Sequence, residues 1–568
     1  MSDNRPDEAD LILTNCKVVT LDPRDSRGSA VAVKGDRILA VGGDEDVERV
    51  AGPGTRRIDG LRRLVVPGLI DGHAHMDREG LKEVLPTLAG CRSISDVLGR
   101  IDALTSTTPP GEWIVTMPIG EPPFYEGVPN NLEEGRFPDR HDLDRVSPDH
   151  PVYIRAIWGH WRNTLPLVSI ANTAALQRAG ISRGARSPAP SIEIERESGS
   201  GEPTGRFFES TYKPLVEKTL MSAIPRFTLD ERTRGLRRSM EIYNSYGTTS
   251  VFEGHGIAGE VMAAYQRLRA AGPLPVRSNL MLSPAWPSPE PEAVKDLLLD
   301  WGRWLAGRGL GDPYLRVAGL YAESDYSDEN RLRAECGPYT GWAGFNFDAA
   351  LPEKVMVEMM VEAARAGIRI GSFTPNIVDL YEQVNRRAPI TDQRWVLEHI
   401  GVFEHDDIER IRDLGLVLQT YSNKWIWQDG EALRRSLGDA RADRILPMRD
   451  LLDAGLHASL ATDNVPPTLL APIWHVVARR TQETGDPLGP SQSLTRLEAL
   501  ACASREGAWL SFEEDVKGTI EPGKYADLTV LSQDLLEVEE DAIPHIAADV
   551  TITAGRVVYD RAQAETER

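Results

Sequence analysis

The chain has 568 residues, 41% hydrophobic and 26% charged, and its 64 Lys+Arg against 86 Asp+Glu leave a formal net charge of −22. That length calls for a large core plus an accessory unit. So acidic a balance argues against nucleic-acid binding, which needs a basic face, and against docking on an anionic membrane. Cys16, Cys91, Cys336 and Cys502 are scattered without a CxxC pair, which argues against a thiolate zinc site and suits the cytoplasm. The polar, acidic N-terminus does not read as a signal peptide, and no run of about 18 apolar residues marks a membrane span.

Leu11–Asp22 and Ser29–Val41 alternate and are rich in Val and Leu; together they read as a β-hairpin, with a turn at Lys34-Gly35-Asp36. Leu61–Val66 predicts another strand, broken by Pro67-Gly68. Val152–Arg155 reads as a short strand. Helix–Gly–strand units follow: Leu229–Tyr246 with Gly247, Pro352–Ala366 with Gly367, Asp406–Leu414 with Gly415, and Leu446–Ala454 with Gly455. Their strands are Thr248–Phe252, Ile368–Ile370, Leu416–Thr420 and His457–Ala461, with a further strand at Trp395–Glu398. Asp527–Leu531 and Asp549–Val558 close the chain as strands. Parallel strands joined by helices over roughly 400 residues favour a (β/α)8 barrel, with a β-sandwich assembled from both termini. The expected division is 1–67 and 491–568 for the terminal unit and 68–490 for the barrel, with an inserted loop region at 158–214. A doubly wound sheet is the alternative; it would normally offer a Gly-rich phosphate turn early in the chain, and neither an early GxGxxG nor any GxxxxGK[ST] is present.

The chemistry concentrates at strand ends. In Leu64–His75, alternation puts His73 and His75 on one side, where two imidazoles can grip one divalent cation. His399 follows the Trp395–Glu398 run, and Asp463 follows His457–Ala461, where a carboxylate can serve as general base. His160, in Trp158-Gly-His-Trp161, is a candidate to polarise a substrate carbonyl. Glu253 and His255 lie just past another strand, either one placed to supply a ligand. His405, His457 and His475 read as structural or surface groups. Trp158, Trp161, Trp425 and Trp427 are candidates for an aromatic pocket or for ordinary packing.

These residues resemble the amidohydrolase superfamily: Pro67-Gly-Leu-Ile-Asp-Gly-His-Ala-His75 is similar to its first-strand signature, and Lys517–Leu531 to its return into the sandwich. Ser147–Ile154, Gly159-His160, Asn172–Gly180, Gly201–Gly205 and Gly247–Val251 resemble its family 3 branch, which includes N-substituted formamide deformylase. The resemblance implies a barrel with a terminal sandwich and a metal-dependent hydrolase of C–N bonds. It also implies that His73, His75, His399 and Asp463 are ligands. Two positions depart from the branch. Tyr321 stands where it carries a lysine, often carbamylated, and Ile370–Asn376 lacks its fifth-strand histidine. Glu253 or Glu323 then becomes the candidate carboxylate ligand.

A binuclear site needs a bridge and about two further ligands, so the reading favours one metal. Zinc is the default for His/Asp ligation, with manganese or iron suited by an added carboxylate. The expected reaction is hydrolysis of an amide-like bond in a small molecule, with Asp463 as base and His399 or His160 stabilising the oxyanion. A lyase, hydratase or decarboxylase on the same fold, or an inactive binding protein, are the rival readings. A homodimer is expected.

Overall fold

The computed structural model describes residues 8–122, 124–157, 165–212, 214–284, 286, 290–336, 350–404 and 406–566. Eight strands run parallel in one sheet: β1 (Leu69–Asp71), β2 (Thr248–Ile257), β3 (Arg277–Leu282), β4 (Leu315–Tyr321), β5 (Ile370–Ser372), β6 (Val396–Glu398), β7 (Val417–Gln419) and β8 (Ala458–Ser459). The sheet closes where Gly72 N donates to Leu460 O at 2.9 Å and Asp463 N to His73 O at 2.9 Å. The expected barrel is therefore present. Gly247, Gly367, Gly415 and Gly455 all have φ between 63° and 85°, the left-handed turn that ends each helix and starts the next strand.

Alternation along the strands sorts the side chains. Phe252, Met281, Tyr321, Val396 and Val417 pack together inside the barrel, while Leu397 and Leu418 face the helices, joining Met356, Met360, Tyr381 and Trp395 in the main core. The helix Leu229–Ser245 starts from a capping box in which Thr228 and Glu231 satisfy each other's backbone N–H groups. No helix among the described residues is long and apolar enough to cross a membrane.

Both chain ends share a sheet: Leu64–Pro67 pairs antiparallel with Leu528–Leu531 and parallel with Lys17–Val19. A four-stranded sheet packs against it, with Leu11, Val31, Val33, Val65, Leu528 and Ile552 in the common core. The expected first hairpin is resolved differently. Ala30–Lys34 and Arg37–Gly42 do pair around Gly35. The run before them breaks at Asn15 (φ 53°), so Ala9–Thr14 and Lys17–Val19 enter different sheets.

Val152–Ile154 is not a barrel strand. With Ile114–Thr116, Leu167–Ala171, Ile192–Arg196 and Pro203–Glu209 it builds a separate five-stranded sheet between β1 and β2. A short apolar strand looks the same in either sheet; only its pairing separates them. Glu209 ties this sheet to the chain returning towards the barrel, accepting from Leu215 N and Val216 N. Burial pushes its carboxyl up to about 7 from an ordinary value of 4.5. The folded protein thus holds this proton more tightly than the unfolded chain. The group's contribution to stability is complete below 4.5 and is lost as pH rises through about 7. Glu209→Gln is expected to flatten that part of the pH dependence of the urea midpoint. A variant profile identical to the parent's between those pH values would contradict this.

Candidate metal centre

His73 and His75 stand just past β1, His255 within the last turn of β2, His399 after β6 and Asp463 after β8. Barrel closure brings all five to one spot. His73 Nε2 lies 3.1 Å from His255 Nδ1 and 3.1 Å from His399 Nε2. Asp463 Oδ1 lies 2.7 Å from His75 Nε2 and 3.9 Å from His73 Nε2. His73, His75 and His255 form one group able to hold a cation, and His73, His399 and Asp463 another that shares His73.

The donor chemistry fits a divalent metal. His73 Nδ1–H donates to Gln419 Oε1 at 2.7 Å, which leaves the Nε2 lone pair facing the other imidazoles. Burial lowers the pKa of His73, and Asp463 only partly offsets it. Burial, then His73, His399 and His75, hold His255 well below the ordinary histidine range. Neutral imidazoles, each with a lone pair to offer, are the form a metal requires. His399 (φ 56°) and Asp463 (φ 47°) are both left-handed non-glycine residues, a strain the packing maintains at the site itself. Gly254 makes the His73–Gln419 pair possible, since a Cβ there would stand 2.5 Å from His73 Nδ1.

The second strand thus brings the additional histidine. Where the resemblance would place a fifth-strand histidine, the chain has Ser372 and then Phe373, whose ring lies 4.5 Å from that of His255. Tyr321, at the end of β4, lies 5.3 Å from His255, and its hydroxyl donates to Glu323 at 3.1 Å. Aromatic rings, rather than ligands, border His255 on this side.

The sequence candidates divide accordingly. Glu323 stands outside every metal-competent group among the described residues, which corrects its assignment. Its carboxyl is taken by Tyr321 and by Asn330 Nδ2 at 2.7 Å. Glu253 falls in a different buried group with His75 and Asp77. Its Oε1 accepts from Met76 N at 2.8 Å and Tyr265 OH at 2.6 Å. Burial raises Glu253 well above the usual carboxylate range and Asp77 to about 6, beside the buried Arg78. His160, Trp158, Trp161 and His405 lie outside the described residues. His457 pairs with Glu506 at 2.6 Å. Burial lowers His475 to about 3, and Trp427 stacks on its ring.

A cavity of about 630 Å³ adjoins this cluster. His255, His399 and Asp463 line it together with Phe373, Tyr421 and Trp425. Trp425 is fixed by its Nε1–H, which donates to His399 O at 2.8 Å. Tyr421 packs 4.8 Å from the His399 ring. Thr211 and Tyr212, at the end of the inserted segment, also reach this cavity.

Gln419 was not singled out in the sequence, because a lone Gln at a strand end carries no signal. Gln419→Leu is expected to weaken metal affinity by about 10–100-fold by releasing the His73 ring. Chelator competition would measure this, and an unchanged affinity would remove Gln419 from the site.

A family model described as "Amidohydrolase family" matches residues 58–559. The chain is 28% identical to an N-substituted formamide deformylase of Arthrobacter pascens over 576 residues, covering 97% of this chain and 98% of that protein. It is 23% identical to the putative amidohydrolase YtcJ of Bacillus subtilis (strain 168), covering 96% and 98%. Among solved structures it is similar to an uncharacterized metal-dependent hydrolase from Pyrococcus horikoshii OT3, with a TM-score of 0.65 at 19% identity over 94% of this chain and 99% of the other. The barrel, its closure and the match across most of the sequence agree: the chain belongs to the amidohydrolase family.

Proposed function

We propose that this protein is a metal-dependent hydrolase that cleaves the C–N bond of an amide or formamide in a small organic molecule. The observation that carries the reading is the convergence of His73, His75, His255, His399 and Asp463, three of which line a cavity of about 630 Å³. Likeness to the formamide deformylase over nearly the whole of both chains supports the choice of bond.

In this reading His73, His75, His255 and Asp463 would hold one divalent cation, zinc by donor type, which would supply Lewis-acid polarisation of a carbonyl and acidification of water near neutral pH. Asp463 accepts the proton of the attacking water and passes it to the leaving nitrogen, so amide and water become acid and amine. His399 donates to the oxygen on which negative charge develops. Phe373, Tyr421 and Trp425 exclude bulk water and offer an apolar surface to the substrate.

Elemental analysis of purified, metal-supplied protein is expected to give about one metal per chain, and His73→Ala to lose it. Asp463→Asn is expected to lower kcat by about 10²–10⁴-fold. Amine release from a panel of formamides and amides is the direct assay. Two metals per chain would sink the one-metal assignment. Carbon dioxide without amine would replace hydrolysis by decarboxylation. A metal-free protein would remove the enzyme reading.

A further inference from the structure

Glu398 ends β6 beside His399 and is 1% exposed. Glu398 is among the residues lining the cavity, and among the described residues neither of its buried carboxyl oxygens has a hydrogen-bond partner. The groups around it are already engaged. Tyr321 OH donates to Glu323 at 3.1 Å, and Tyr381 OH to Val396 O at 3.1 Å. Arg410, a cation lining the same cavity, pairs with Asp379, Glu382 and Asp407. Gly371 leaves the space the carboxyl fills: a Cβ there would stand 2.5 Å from Oε1.

A buried carboxyl without a partner is costly, and native proteins rarely leave one unless a ligand or water completes it. In either protonation state it keeps an acceptor oxygen. Phe373, Ile377 and Ile400 line the same cavity and offer no donor to it. We infer that Glu398 is a specificity-determining residue that accepts a hydrogen bond from the N–H of the substrate amide. The substrate class is then primary and secondary amides, with N,N-disubstituted amides disfavoured. This rests on the reading of the site as an amide hydrolase and adds what that reading leaves open, the substitution at nitrogen.

A matched pair of probes tests it: N-methylbenzamide, with one N–H, and N,N-dimethylbenzamide, with none. Calorimetric titration of the metal-loaded protein reads binding whether or not either amide is hydrolysed. Failure of hydrolysis therefore counts against the reaction and not against Glu398. The parent protein is expected to bind the N–H amide about tenfold or more tightly than its partner. Glu398→Gln, which keeps an acceptor oxygen, should retain the preference, and Glu398→Leu should abolish it at unchanged metal content. Gly371→Ala, which displaces the carboxyl without altering it, should weaken the preference and supplies a second variant if Glu398→Leu fails to fold. No preference in the parent protein, a preference that survives Glu398→Leu, or no binding of either amide at millimolar concentration would each overturn the inference. The first of these results would mean that water alone completes the carboxyl.

Discussion

The carboxyl of Asp71 joins the first barrel strand to the last. Its Oδ1 accepts from His73 N at 3.1 Å and Thr462 N at 3.0 Å, and its Oδ2 accepts from Thr462 Oγ1 at 2.5 Å. One buried side chain thus sets the backbone that carries His73 and the backbone that carries Asp463. Burial pushes this carboxyl up to about 7, against the pull of three hydrogen bonds. The closure hydrogen bonds of Gly72 and Asp463 depend on the same alignment. Without it, candidate ligands 390 positions apart in the chain have no reason to meet.

Around that clamp the site is arranged for neutral imidazoles. Burial disfavours the imidazolium form of His73 and His255, and Gln419 fixes which nitrogen of His73 faces the centre. The left-handed backbone at His399 and Asp463 turns both side chains inward at the strand ends. Tyr321 and Phe373 stack with ring centroids 6.1 Å apart beside His255. They occupy the side from which a bridging lysine and a fifth-strand histidine would reach. The chain has filled that volume with packing.

Much of the architecture was legible because local chemistry is repetitive. Four glycines after four amphipathic helices mark αβ turns wherever they occur, and Pro67–His75 is a dense motif. His73, His75, His399 and Asp463 were singled out through strand ends and that motif, and the closed barrel brings them together. Glu323 was misplaced because a carboxylate near a strand end has no mark showing which neighbours will claim it; Tyr321 and Asn330 did. Val152–Ile154 was legible as a strand but its sheet was not: a three-residue apolar strand carries no information about its partners.

By itself, the sequence determined the periodicities, the turn chemistry, the acidic balance and the ligand types, since each depends on residues close in the chain. It also determined that no histidine stands at the end of β5. Tertiary structure alone decided that His255, from β2, stands beside His73, and that Gln419, from β7, orients that ring. It alone decided that Glu398 ends in a cavity without a partner. These outcomes depend on strand register around a closed barrel, which follows from hydrogen bonds between segments hundreds of residues apart and leaves no local trace.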